Sequence, residues 1–239
     1  MKQEFKISYS RINTYLFCPY KYKLIYLKDI RIPINADITF GHIIHRTLEN
    51  FHRHNNSSYD NLMDFYDNSW KNDGFINPQQ VFEYYIRGKN MLIDYYRSFC
   101  NSKAEVLYVE KEFNSTIGKY KFIGIIDRID KCPNNIYEVI DYKTHIKIWS
   151  QKKIDENLQL SFYAYACKNV FGLNPNRIAV YFLSINRKIY TERSNEKIAK
   201  AIDLAMQTAE NIEVENFNPD TSKCWLCDFK LKCKYSKYN

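Results

Sequence analysis

An α/β core carrying additional helices is predicted by three observations. Helical spacing dominates residues 8–99, three β-favouring runs follow between 104 and 142, and a helix, a strand and a long helix complete the chain.

Each element has its own signal. Residues 8–27 place Tyr15, Leu16, Tyr22 and Tyr26 at helical spacing, with Ser10 as a cap and a break near Pro19. Residues 40–51 give a second helix. The stretch 55–77 is polar and aromatic without a clean period, so its local structure is left open. Pro78 suits the first turn of a helix reaching residue 99, because a proline's missing N–H is harmless there. After residue 103 the period changes. Runs at 104–113, 120–129 and 136–142, separated by Gly118 and by the turn-like CPNN at 132–135, predict a three-stranded meander. A helix over 154–169, a strand at 177–185 and a helix over 193–214 follow. Beyond Pro219 the chain is short, basic and cysteine-rich. With no internal repeat or low-complexity linker, residues 1–239 are expected to form one domain.

Hydrophobic types make up 45% of 239 residues, enough for a sizeable core but an argument against two equal domains. The net charge of +8 favours an anionic partner, although a solvated basic surface would carry it equally well. No run of 18 apolar residues exists, and MKQEFKIS lacks the apolar centre of a secretory signal. An intracellular, cytoplasmic protein with no membrane span is expected. A reducing compartment opposes stable disulfides, so the seven cysteines need another role.

Asp127 lies near the end of KFIGIIDRID, and Asp141 and Lys143 near the end of IYEVIDYK. A hairpin around CPNN brings both aspartates to one end of the sheet. Asp141 and Lys143 then share a face, since strand side chains repeat every two residues. Two carboxylates beside a lysine suit a hard divalent ion such as Mg2+ or Mn2+ and phosphodiester chemistry. The same alternation also fits solvent-facing charge on an ordinary hairpin. Asp130, three residues from Asp127, falls on the opposite face and is left to pair with Arg128 or Lys131. Gly41 and His45 share a helix face, where the glycine would admit a close approach to the sheet; a boundary position among Ile43, Ile44 and Leu48 would suit His45 as well. Gln159 and Tyr163 are one helical turn apart. Glu110, in VEKEF on the preceding strand, falls within reach of the metal site but is given no primary ligand role.

The strings GIIDRID and VIDYKTH resemble the PD-(D/E)XK nuclease superfamily and, within it, the RecB-like branch. GHIIH at 41–45 is similar to that branch's Gly-x-x-x-His motif and QLSFYA at 159–164 to its Gln-x-x-x-Tyr motif, while residues 52–103 carry no matching motif. The resemblance implies a restriction-endonuclease-like core with additional helices and a C-terminal cysteine-cluster region. It implies metal ligation by His45, Asp127, Asp141 and the carbonyl of Tyr142, hydrolysis assisted by Lys143, and Gln159 and Tyr163 close to DNA. The second acid is an aspartate in DYK, where the superfamily's name has room for glutamate; charge and oxygen donor are kept.

In CWLCDFKLKC the cysteines are spaced C-x2-C-x5-C, and Cys18 is a distant fourth. That set would hold zinc or a four-iron cluster, or stand as free structural thiols, and spacing does not choose among them. The resemblance, to cluster-bearing members similar to CRISPR-associated exonucleases of spacer acquisition, implies a 4Fe-4S cluster on Cys18, Cys224, Cys227 and Cys233. Residues 1–30 and 215–239 would together form its region. The implied activity is a divalent-metal-dependent DNA exonuclease working on single strands or DNA ends, in repair, recombination or CRISPR spacer processing. A noncatalytic nucleic-acid-binding module and an RNA nuclease are the alternatives. Nothing resembling a Walker A string is present, so unwinding would fall to a partner such as a helicase, and a CRISPR integrase is a second candidate partner.

Overall fold

Serine and asparagine side chains start most of the helices. In the computed structural model, which describes residues 6–54 and 58–238, α1 (Tyr9–Phe17) begins at Ser8, whose hydroxyl accepts the Arg11 N–H at 3.3 Å. Ser8 therefore replaces the expected Ser10 as cap. The helix stops at Cys18, held extended (φ −163°, ψ 118°) by the proline that follows. Then come α2 (Pro19–Tyr22) and a π-helical turn, Lys23–Leu27. Asn35 caps α3 (Ala36–Arg53), Ser58 caps α4 (Tyr59–Ser69), and Asn77 caps α5 (Pro78–Cys100) with Pro78 in its first turn. The stretch left open in sequence thus holds α4, while residues 55–57 lie outside the described residues, as do 1–5 and 239 of the expected terminal region. The single helix expected over 154–169 is two, α6 (Gln151–Asp155) and α7 (Leu158–Asn169), because Asn157 caps a new start. The last helix is α8 (Asn195–Glu213).

The strands are β1 (Lys6–Ile7), β2 (Glu105–Ile117), β3 (Tyr120–Cys132), β4 (Ile136–Lys143), β5 (Pro175–Phe182) and β6 (Arg187–Thr191). β2 pairs with β3, and β3 runs antiparallel to β4, giving the expected meander. Asn134 and Asn135 turn the β3–β4 connection with φ of 63° and 55°, a left-handed conformation that asparagine tolerates better than most residues. β5 lies parallel to β4 after a crossover through α6 and α7, and β6 returns antiparallel to β5.

The chain divides into a larger unit, Ile34–Glu112 with Ile125–Ser194, and a smaller one, Met1–Pro33 with Phe113–Gly124 and Asn195–Asn239. In the larger, Phe40, Ile44, Leu48 and Phe51 of α3 pack with Leu92 and Tyr95 of α5 and with Ile140 and Tyr142 of β4. In the smaller, Tyr15, Tyr22, Ile212 and Phe217 form the core; the Phe217 ring stacks on Tyr22 at 6.2 Å, and the Tyr15 hydroxyl donates to the Asn216 carbonyl at 2.5 Å. No described helix is long and apolar enough to cross a membrane.

The iron–sulfur expectation is overturned here. None of the seven cysteines, Cys18, Cys224, Cys227 and Cys233 included, forms a disulfide. Among the described residues, the metal-ligating side chains that gather are a histidine and two acids, with no cysteine among them. Within the smaller unit, segments from opposite ends of the sequence are joined by other means: Lys21 pairs with Asp228 at 2.5 Å, and the Lys223 ammonium donates to the carbonyls of Leu16 and Phe17. A distinct C-terminal cysteine-cluster region and a 4Fe-4S cofactor are therefore withdrawn.

Candidate metal centre

Side chains meet where the β3–β4 ladder ends. Its pairs run from Cys132↔Ile136 to Arg128↔Ile140. Asp127 and Asp141 come next on their strands, and the Asp127 carboxylate accepts the Tyr142 N–H at 2.8 Å. From α3, His45 Nδ1 stands 3.8 Å from Asp127 Oδ2 and 3.6 Å from Glu110 Oε1. One ligand atom from each of His45, Glu110 and Asp127 falls within 4.8 Å of the others. Gly41 is not forced by space, since a Cβ there would meet Thr144 Oγ1 at an ordinary 3.7 Å.

Asp141 is buried, and its Oδ2 lies 2.6 Å from Lys143 Nζ, as expected for two residues on one strand face. Its Oδ1 is also buried and has no hydrogen-bond partner. Lys143 Nζ reaches Gln159 Oε1 at a long 3.5 Å, and Gln159 Nε2 donates to the Tyr163 hydroxyl at 2.7 Å. The sequence-derived residues thus fall into two groups, His45 with Asp127 and Asp141 with Lys143, Gln159 and Tyr163, which interact electrostatically; Asp141 is not among the side chains gathered within 4.8 Å. Tyr142 contributes its N–H to Asp127, and its own buried hydroxyl hydrogen-bonds Tyr95.

The electrostatics are those of a negative pocket. Burial pushes the carboxyls of Asp127 and Asp141 up from the usual range, against the lowering pull of Lys143 and His45. For His45, burial disfavours the imidazolium, but Asp127, Glu110 and Asp141 outweigh it and push the pKa up to about 9. Tyr163 is raised well above a free phenol, first by burial and then by the same three acids. Crowded carboxylates with an unpartnered oxygen, next to one imidazole, fit a hard divalent cation of the Mg2+ or Mn2+ kind.

Glu110, which the sequence reading places within reach of the metal site without a primary ligand role, is one of the three side chains that gather there. It sits within β2 at φ 43°, a left-handed conformation uncommon for a non-glycine residue. Such a residue interrupts the inside-outside alternation from which strand faces are read. Glu110 and His45 also line a cleft of about 970 Å³ whose walls include Ile34, Ile38, Ile125, Arg46 and Lys71.

Comparison with known proteins locates this arrangement. A profile of the PD-(D/E)XK nuclease superfamily matches residues 6–234. Among solved structures, a candidate exonuclease from Eubacterium rectale is similar over 94% of this chain and 86% of that chain, with a TM-score of 0.56 and 11% identity, which shows a common fold. The structure of SSO0001 aligns over 98% of this chain and 88% of that chain at 18% identity, with a TM-score of 0.45. No curated protein matches the chain. The family match reaches the superfamily as a whole, so the narrower expectation of a cluster-bearing branch similar to CRISPR-associated exonucleases is corrected to that level. Matched over nearly its whole length, and with its acids gathered at the end of the β3–β4 ladder, the chain belongs to the PD-(D/E)XK nuclease superfamily and is a metal-dependent nuclease.

Proposed function

We propose that the protein hydrolyses phosphodiester bonds of DNA, acting as an exonuclease on single strands or single-stranded ends and leaving a 5′-phosphate and a 3′-hydroxyl. The observation that carries this reading is the buried Asp141, one oxygen against Lys143 and the other unpartnered, beside the His45, Glu110 and Asp127 group. His45, Glu110, Asp127 and Asp141 would hold the divalent ion, with the Tyr142 carbonyl as a further oxygen donor. When bound, such an ion polarises phosphate and acidifies water. Lys143 holds a positive charge beside Asp141, where charge builds on the phosphate. Gln159, anchored by Tyr163, limits the positions open to the lysine ammonium.

The cleft supports a substrate with unpaired bases. Ile34, Ile38 and Ile125 are 60%, 38% and 46% exposed on its walls, apolar surface that suits flat base faces, while Arg46 and Lys71 offer charge to phosphates. Duplex ends would then call for a separate helicase as partner.

Labelled single-stranded DNA, duplex DNA and RNA, each with and without Mg2+ or Mn2+, test the proposal side by side. Cleavage should require the ion and favour single-stranded DNA. Asp127→Asn and Asp141→Asn should each lower turnover by about 100-fold or more, and Lys143→Ala should do so while keeping most metal and DNA binding. Near-normal turnover in all three variants at saturating ion would defeat the assignment; faster cleavage of RNA would redirect it to an RNA nuclease.

A further inference from the structure

We propose that His52, acting through Arg128, Tyr95 and Tyr142, is a positioning residue for the metal centre. The inference rests on the metal-site reading above and adds what fixes α3 against the strands. His45 and His52 are seven residues apart on α3, so they project from nearly the same face two turns from each other. Each meets one of two consecutive residues of β3. His45 Nδ1 faces Asp127 Oδ2 at 3.8 Å, and His52 Nε2 faces Arg128 Nη1 at 3.2 Å. Aliphatic packing alone, as between Ile44 or Leu48 and Ile140, is tolerant of a small slide of helix along sheet, because dispersion contacts lack direction. A hydrogen bond of fixed length and angle is not.

The partners of His52 are themselves held on every side. Arg128 Nε and Nη2 grip the two oxygens of Asp130 at 2.6 and 2.5 Å, and Nη1 donates to the Tyr95 hydroxyl at 2.6 Å and reaches the Tyr142 hydroxyl at 3.3 Å. Tyr95 and Tyr142 hydroxyls are 2.9 Å apart, and Tyr95 also hydrogen-bonds His52 Nε2. Arg128, Asp130, Tyr95 and Tyr142 are each at most 3% exposed. Tyr142 closes the circuit: its phenol belongs to this network, its N–H holds Asp127, and its ring meets the His45 imidazole edge-on at 6.0 Å. Two routes therefore run from the network to the ligand group, one along α3 to His45 and one through Tyr142 to Asp127. A buried ion pair is a weak source of stability compared with apolar residues of the same volume, whereas a registry role accounts for an array in which each polar group is matched.

The test reads Mn2+ affinity directly by calorimetry, without DNA, alongside thermal melting of the metal-free protein. His52→Ala should weaken Mn2+ binding by about 10-fold or more, the scale on which outer partners of metal ligands act. His52→Gln, whose amide oxygen can accept from Arg128, should recover most of the affinity. Tyr95→Phe, which removes one hydroxyl and keeps the ring, should lose affinity in the same direction and remains informative if His52→Ala does not fold. A merely structural role predicts lower melting temperatures with wild-type Mn2+ affinity in the folded variants, and that result overturns the inference alone. Wild-type protein that takes up no Mn2+ overturns the metal-site reading and this inference with it.

Discussion

Glu110 shows how one backbone angle separates placing a residue near a site from giving it a ligand role. The alternation of IYEVIDYK placed Asp141 and Lys143 together, and their 2.6 Å contact follows from it. Alternation could not give Glu110 a ligand role, because its φ of 43° departs from the extended range on which alternation depends. Left-handed conformations in non-glycine residues cost on the order of 1–3 kcal/mol and persist where surroundings impose them, often at functional sites. Glu110 raises the Asp127 carboxyl by like charge but also attracts the His45 imidazolium, so in metal-free protein its two interactions oppose each other. Glu110→Gln should therefore leave metal-free stability close to wild type. It should also weaken Mn2+ roughly tenfold, removing about 1.4 kcal/mol of the ion's stabilisation at saturation. Melting with and without Mn2+ measures both effects; a wild-type ion-induced shift would remove Glu110 from the ligand group. A parallel case is His45→Ala, which should reduce metal affinity, with cleavage partly restored by Mn2+, the ion more tolerant of mixed nitrogen and oxygen donors. Overlaid metal titrations of variant and wild type would return His45 to a packing role.

At the level of elements, what was readable were a first-turn proline and periods sustained over several turns. Pro78, and the apolar series on α3, were enough to place those helices, whereas the cap of α1 was read two residues late. α4 was not readable because its 11 residues bury only Leu62 and Tyr66, one apolar pair in an otherwise polar and aromatic run. β6 escaped for a related reason: RKIYT is five residues long, and its strand conformation comes from pairing with β5. Tertiary constraint also explains Gly88 inside α5. By helix propensity alanine would be better there by about 1 kcal/mol. A Cβ at Gly88, however, would lie 2.1 Å from the Tyr66 hydroxyl oxygen and 3.0 Å from the Phe40 ring. Tyr66 is fully buried and donates to the Tyr85 carbonyl at 2.9 Å, so it has little room to withdraw. Gly88→Ala is expected to destabilise by about 1–3 kcal/mol, the usual range for overpacking. Urea unfolding reads this; a stabilised variant would mean that α4 yields to the methyl group.

Across the whole molecule, the sequence order of strands and helices was legible, whereas the manner in which distant segments are joined was not. The motifs that resembled a four-cysteine cluster directed attention to sulfur, but Cys18 is buried at a helix junction, and residues 15–23 meet residues 216–228 through tyrosine, lysine and phenylalanine. Those contacts depend on three-dimensional proximity across some two hundred residues, which local patterns do not encode. The division into two units has a testable energetic consequence. The core containing Ile44 and the core containing Ile212 share no residue, and every ligand candidate of the metal centre belongs to the larger unit. Ile44→Val and Ile212→Val remove one buried methylene each and should each cost about 0.5–1.5 kcal/mol. If the two cores are energetically independent, the double variant should lose the sum of the two to within about 0.5 kcal/mol. The metal centre adds a second readout: Ile44 precedes His45 and sits in its supporting core, so Ile44→Val should weaken Mn2+ binding, while Ile212→Val should leave it within about twofold of wild type. A coupling energy above 0.5 kcal/mol, or an equal loss of Mn2+ affinity in both variants, would show that strain crosses from one core to the other and that the centre is not supported by the larger unit alone.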